Sequence, residues 1–136
     1  SGKPSGDPAS KTLLMVEDSE PAVIQIRDLL AESGYLIKVA RDAKEAFEIM
    51  AEVIPDAMVL DLMMPGIDGF ELLHTLREAE ATAHVPVLIL TAKHITSDEL
   101  KYLTRNNIHQ LIQKGDVNRE ELKKAIASML YPQRQT

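Results

Sequence analysis

Three short, almost unbroken apolar runs constrain this chain more than any other feature: Thr12-Leu13-Leu14-Met15-Val16, Ala57-Met58-Val59-Leu60 and Pro86-Val87-Leu88-Ile89-Leu90. A strand with one wet face alternates polar and apolar residues, whereas a strand covered on both faces has no reason to. The stretches between the runs carry a different period. Ser19-Glu20-Pro21 reads as a helix start, with serine as cap and proline in the first turn. Val23, Ile26, Leu29 and Leu30 then recur at helical spacing until Ser33-Gly34. Asp42 caps a second helix carrying Ala46, Phe47, Ile49 and Met50, which Pro55-Asp56 breaks. Gly66 to Gly69 reads as a turn, and Phe70, Leu72, Leu73 and Leu76 as the apolar face of a third helix. Ser97-Asp98-Glu99 starts a fourth, with Leu100 and Leu103 inward and Asn106-Asn107 near its end. Asn118 caps a fifth, which carries Leu122, Ile126 and Met129-Leu130 and stops at Pro132. Tyr35 to Ala40 and Gln110 to Gln113 supply two further strands, the latter flanked by polar residues and expected at a sheet edge. Five strands alternating with five helices predict an α/β fold: a doubly wound, five-stranded parallel sheet with helices on both faces.

Length and composition narrow the function. A chain of 136 residues is one domain, and 45% hydrophobic residues are enough for one core. A net charge of −6 argues against a nucleic-acid or anionic-membrane surface, and suits a protein that handles a cation or meets a basic partner. The absence of cysteine excludes disulfides, thiolate catalysis and cysteine-based zinc sites. No apolar stretch approaches the ~20 residues needed to span a bilayer. Residues 1–10 are small and polar, without the apolar core of a signal peptide; they read as a flexible interdomain linker or a cloning remnant.

The chemistry lies at the strand ends. Asp61 closes a buried run, where a carboxylate is costly unless something compensates for it. The first strand ends in Glu17-Asp18, the fourth in Thr91-Ala92 and the fifth in Lys114. Taken singly, these are ordinary loop charges, a turn hydroxyl and a surface lysine. In a doubly wound sheet they converge on the carboxyl edge, where such folds place their sites. Three carboxylates at close quarters repel one another, and a hard divalent cation such as Mg²⁺ removes the conflict. The Met63 backbone carbonyl is placed to add a ligand. Lys114 offers a point charge for a phosphoryl oxygen, Thr91 a hydroxyl donor, and Asp61 a nucleophile able to form an aspartyl phosphate.

At these residues the chain resembles a known family, the receiver domains of two-component response regulators. The matching segments are Val16-Glu17-Asp18, Val59-Leu60-Asp61-Leu62-Met63-Met64-Pro65-Gly66-Ile67-Asp68-Gly69, Leu90-Thr91-Ala92 and Gln113-Lys114. The resemblance covers about residues 11 to 131, leaving 132–136 as a tail. It implies a flavodoxin-like sheet of order 2-1-3-4-5. It also implies that Asp61 takes a phosphoryl group from a phosphohistidine. Asp18 would hold Mg²⁺ directly and Glu17 through water, and Thr91 and Lys114 would contact the phosphoryl group. Pro65 and Gly69 would shape the loop after Asp61. The implied role is a cytoplasmic signalling switch or relay rather than an enzyme. The implied partners are a sensor histidine kinase or a histidine phosphotransfer protein, with a homodimer in view and neither nucleic acid nor membrane in contact. The end of the chain just after the fifth helix, and a loose similarity of Leu90 to Leu103 to kinase-fused modules, fit the C-terminal receiver of a hybrid kinase; a stand-alone receiver is the other reading.

Two departures from the family pattern stand out. Gly115 follows Lys114 where the family usually has proline, and Leu111 stands where it often has an aromatic that moves with the threonine. The expectation is that the signal leaves by another surface or that phosphate is relayed onward. Met63, two residues after Asp61, cannot orient a hydrolytic water, so slow loss of phosphate is expected. His74, His84, His94 and His109 lack metal-ligand spacing. The competing readings are a phosphorylation-independent pseudo-receiver serving as an interaction module, and enzymes of the same architecture. A dehalogenase-type phosphatase would want an acid at Met63. A flavodoxin-like binder would want a phosphate loop where Glu17-Asp18 stands, and P-loop and dinucleotide fingerprints are absent.

Overall fold

A computed structural model describes residues 11–132 except Pro65 and Ile67. The expectations for residues 1–10, for Pro65 and for the tail beyond 132 lie outside the described residues. The described residues form strands β1 (Thr12–Val16), β2 (Leu36–Ala40), β3 (Ala57–Leu60), β4 (Val87–Thr91) and β5 (Gln110–Gln113). Helices α1 (Glu20–Leu29), α2 (Ala43–Glu52), α3 (Gly69–Glu78), α4 (Ser97–Arg105) and α5 (Arg119–Leu130) alternate with them. The strands are all parallel in the order β2-β1-β3-β4-β5, as expected for the flavodoxin-like arrangement. Every residue of β1, β3 and β4 is buried, which accounts for their unbroken apolar sequences. Edge strands β2 and β5 are largely half-exposed.

The period of two along the strands sorts side chains into two cores. Leu13, Met15, Val59, Leu88 and Leu90 face α1 and α5. Leu14, Val16, Leu60, Val87 and Ile89 face α2, α3 and α4. Ser19, Asp42 and Asn118 cap α1, α2 and α5 through side-chain oxygens that accept backbone N–H groups, as their positions in the sequence suggested. Two starts differ. Asp68 caps α3, so Gly69 belongs to the helix rather than to the turn. Thr96 caps α4, one residue earlier than Ser97: its hydroxyl accepts the Glu99 N–H at 3.1 Å while Glu99 accepts the Thr96 N–H at 3.0 Å. Thr91 ends β4 rather than following it, and a 3₁₀ turn over Lys114–Asp116 follows β5.

At the amino edge of the sheet the Arg77 guanidinium ties three segments together. It donates to the carbonyls of Asn106 (2.7 Å), Ala83 (3.1 Å) and Val85 (2.9 Å), where burial lowers its pKa. Helix α4 departs from the amphipathic expectation. Leu103 is fully buried, but Leu100 is 45% exposed, because the helix touches the sheet along one narrow stripe. Leu103→Ala should therefore lower the unfolding free energy by about 2–5 kcal/mol, and Leu100→Ala should change it by less than about 0.5 kcal/mol. Urea denaturation of the two variants checks the contrast.

Candidate phosphoryl-transfer site

Strand register assembles the site. Val16 is level with Leu60, so Glu17 and Asp61 leave adjacent strands side by side, and the Asp61 N–H donates to the Val16 carbonyl at 3.0 Å. Thr91 is level with Gln113, which brings Lys114 up beside it from the far strand. Asp61 and Glu17 are almost wholly buried, at 4% and 2% exposure, while Asp18 is exposed.

Both Asp61 oxygens are engaged. Oδ1 accepts the Thr91 hydroxyl at 2.8 Å and the Met63 N–H at 3.1 Å. Oδ2 lies 3.1 Å from Lys114 Nζ, which also reaches Glu17 Oε1 at 2.8 Å. Glu17 Oε2 accepts the Ser19 N–H at 3.0 Å. Burial pushes the Glu17 carboxyl above its ordinary value; Lys114 and the Ser19 N–H oppose that rise and the Asp61 charge adds to it. Burial acts on Lys114 in the downward direction, but its bonds to Glu17 and Asp61 outweigh it and raise the ammonium pKa. The same ion pair thus leaves Glu17 raised, because that carboxylate is the more deeply buried partner.

One carboxylate oxygen each from Glu17, Asp18 and Asp61 lie within 4.8 Å of one another. One lysine faces these three carboxylates among the described contacts, so negative charge remains in excess. The donors are all hard oxygens, with two held rigidly by burial and the third open to solvent. That set fits a hard divalent cation that keeps part of its water shell.

The expected residues Glu17, Asp18, Asp61, Thr91 and Lys114 are therefore together at one edge of the sheet, and Met63 reaches Asp61 through its N–H. A family model for the response regulator receiver domain matches residues 13–127. The chain belongs to this family. It is 37% identical over 94 residues to the sensor histidine kinase TmoS of Ectopseudomonas mendocina, covering 69% of this chain and 10% of that protein. The receiver domain of a signal transduction histidine kinase from Syntrophus aciditrophicus shares the fold with a TM-score of 0.80 at 24% identity, over 93% of this chain and 95% of that one. The receiver domain of sensor histidine kinase PA1611 from Pseudomonas aeruginosa PAO1, with a magnesium ion in its active-site cleft, has a TM-score of 0.76 at 23% identity, over 88% and 97%. The chain spans 10% to 63% of the length of the first curated relatives it matches.

The structure adds a residue to this receiver domain's site that the sequence did not single out. The Lys93 N–H donates to Thr91 Oγ1 at 3.2 Å, and its ammonium holds both Glu99 oxygens, at 3.0 and 2.8 Å. The Thr96-x-x-Glu99 spacing was a legible capping signal; a lysine reaching six residues forward in a loop follows no period. Leu111 is half-buried and packs against the core on the α4 face, and a Cβ on Gly115 would meet nothing within 4 Å, so space alone does not require glycine there.

Gly69 is different. A Cβ there would lie 2.7 Å from Leu62 Cα and 2.9 Å from the Asp61 carbonyl oxygen, both backbone atoms of the site loop. Gly69→Ala should cost about 1–3 kcal/mol by forced displacement of that loop. Denaturant unfolding measures the loss, and an unchanged midpoint would contradict the close approach.

Proposed function

We propose that this receiver domain is a phospho-accepting switch or relay module in which Asp61 takes a phosphoryl group from a phosphohistidine. The observation that carries the reading is the Asp61 carboxylate itself: nearly buried, yet bonded to a hydroxyl, an amide and an ammonium rather than to apolar atoms. In the transfer, an Asp61 oxygen attacks phosphorus, the P–N bond breaks as the P–O bond forms, and the histidine ring nitrogen leaves with the bonding pair. Lys114 and Thr91 supply an ammonium and a hydroxyl for the phosphoryl oxygens, and Met63 N–H fixes the carboxylate. The carboxylates of Glu17, Asp18 and Asp61, with the Met63 backbone carbonyl, would hold Mg²⁺, which when bound neutralises phosphoryl charge.

The donor in this reading is a sensor histidine kinase or a histidine phosphotransfer protein in the cytoplasm, and the chain serves as a receiver of a hybrid kinase or as a stand-alone one. Leu111 presents no ring to reorient, so the output leaves by another surface or the phosphate is passed on.

Incubation with acetyl phosphate and Mg²⁺, followed by intact mass, should add one phosphoryl group. Asp61→Asn and chelation of the metal should each abolish it. An unmodified wild-type mass would turn the reading towards a phosphorylation-independent interaction module. Phosphate lifetime provides a separate check. Met63 is 54% exposed and apolar, so the wild type should lose phosphate several-fold more slowly than Met63→Asn. Equal or faster loss from the wild type would sink that role for Met63.

A further inference from the structure

A second concave surface lies between α3 and α4, apart from the Asp61 carboxylate. Phe70, Asp98, Glu99 and Tyr102 line a cleft of about 260 Å³. The Phe70 and Tyr102 rings meet edge to face with centroids 5.8 Å apart, and the Tyr102 hydroxyl donates to the Phe70 carbonyl at 3.3 Å. The whole chain has three tyrosines, two phenylalanines and no tryptophan, so a pair of rings at one half-exposed place is a concentration.

The chemistry of this wall already holds a cation of the chain itself. Lys93 Nζ lies 5.9 Å from the Phe70 centroid while paired with Glu99. Asp98 is exposed at the rim and has no ion-pair partner among the described residues. Asp68, Glu71 and Arg105 lie near enough to act on Tyr102: burial first, and then the two negative charges, raise its phenol pKa, and the Arg105 charge only partly opposes them. Asp68, Glu71, Asp98 and Glu99 outnumber Lys93 and Arg105 around the rings, so the surroundings are on balance electronegative as well as aromatic. A concavity on α2 lined by Glu45, Glu48, Ile49 and Glu52 is acidic but has no ring, and provides an internal comparison.

We propose that the α3–α4 cleft is a docking surface for a segment of a partner protein that presents an arginine or lysine, the cation entering against the Phe70 and Tyr102 rings beside Asp98. Charge complementarity selects the partner: the cleft offers π faces and carboxylates, which a guanidinium or ammonium satisfies together and an anionic or purely apolar segment does not. A cation over exposed rings contributes roughly two- to fivefold in affinity, so the contact is a weak anchor within a larger transient interface. The inference goes beyond the phospho-acceptor reading and does not depend on it, since the cleft exists in the unphosphorylated chain.

The test is a ¹⁵N-resolved NMR titration of the unphosphorylated protein with N-acetyl-Ala-Arg-Ala-amide and with its citrulline counterpart, which keeps the shape and loses the charge. The arginine peptide should shift the amides of Phe70, Asp98 and Tyr102, and the citrulline peptide should bind about threefold or more weaker. Asp98→Asn and Tyr102→Leu, each with its fold checked by the dispersion of the same spectra, should weaken the arginine peptide by a similar factor, and Glu52→Gln should not. Equal shifts from the two peptides, shifts centred on the α2 acids or scattered over the surface, no localised shift, or indifference to Asp98→Asn would each overturn the proposal. None of these results bears on whether Asp61 accepts phosphate.

Discussion

The Lys114 ammonium between two buried carboxylates is the contact on which the site depends. Glu17 and Asp61 emerge from neighbouring strands into a nearly dry place, where two like charges would otherwise force protonation or unfolding. One cation, 2.8 Å from Glu17 and 3.1 Å from Asp61, holds both. It comes from the far side of the sheet, carried by β5, so the bond also fixes the end of an edge strand against the middle of the molecule. The neutralisation is incomplete, because Asp18 brings a third carboxylate, and the three oxygens together make a donor set that suits a hard cation.

The double coverage of the sheet makes such a site affordable. Two separate apolar cores, one against α1 and α5 and one against α2, α3 and α4, take alternate residues of the same strands. The ends of β1, β3 and β4 are then fixed by packing on both faces. Asp61 is held by this frame through Thr91 and Lys114, and by its own loop through the Met63 N–H. Gly69, whose missing Cβ lets α3 approach the Asp61 and Leu62 backbone, ties the loop back onto the frame.

The α4 side is built more lightly. Leu103 is its buried anchor, and among the described residues it is joined by polar and aromatic contacts, Lys93 on Glu99 and Tyr102 against Phe70. Thr91 connects this side to the site, since its hydroxyl donates to Asp61 and accepts from the Lys93 amide. Lys93 joins Thr91 to α4, its amide on the Thr91 hydroxyl and its ammonium on Glu99, while the half-buried Leu111 packs against the core on the same face.

Much of this was legible in the residue order. Unbroken apolar runs read as doubly covered strands because burial on both faces removes the need to alternate. Ser19, Asp42 and Asn118 read as caps because capping is local chemistry within three residues. The acids, hydroxyl and lysine at the strand ends were legible because a parallel sheet brings those ends to one edge whatever its details. The Thr96 cap of α4 was legible as well, since Glu99 stands three residues after Thr96 whereas Leu100 stands three after Ser97. Local sequence could not say that Leu100 faces water, because the width of an apolar stripe is set by the neighbour it meets. The Lys93 clamp on Glu99 and the meeting of Phe70 with Tyr102 join residues with no periodic relation. The sequence by itself determined which elements form and which chemistry gathers at the strand ends, since both follow from short-range spacing and strand order. Tertiary structure alone decided which oxygen meets which donor, and which helix faces are left open, because those depend on distances between segments far apart in the chain.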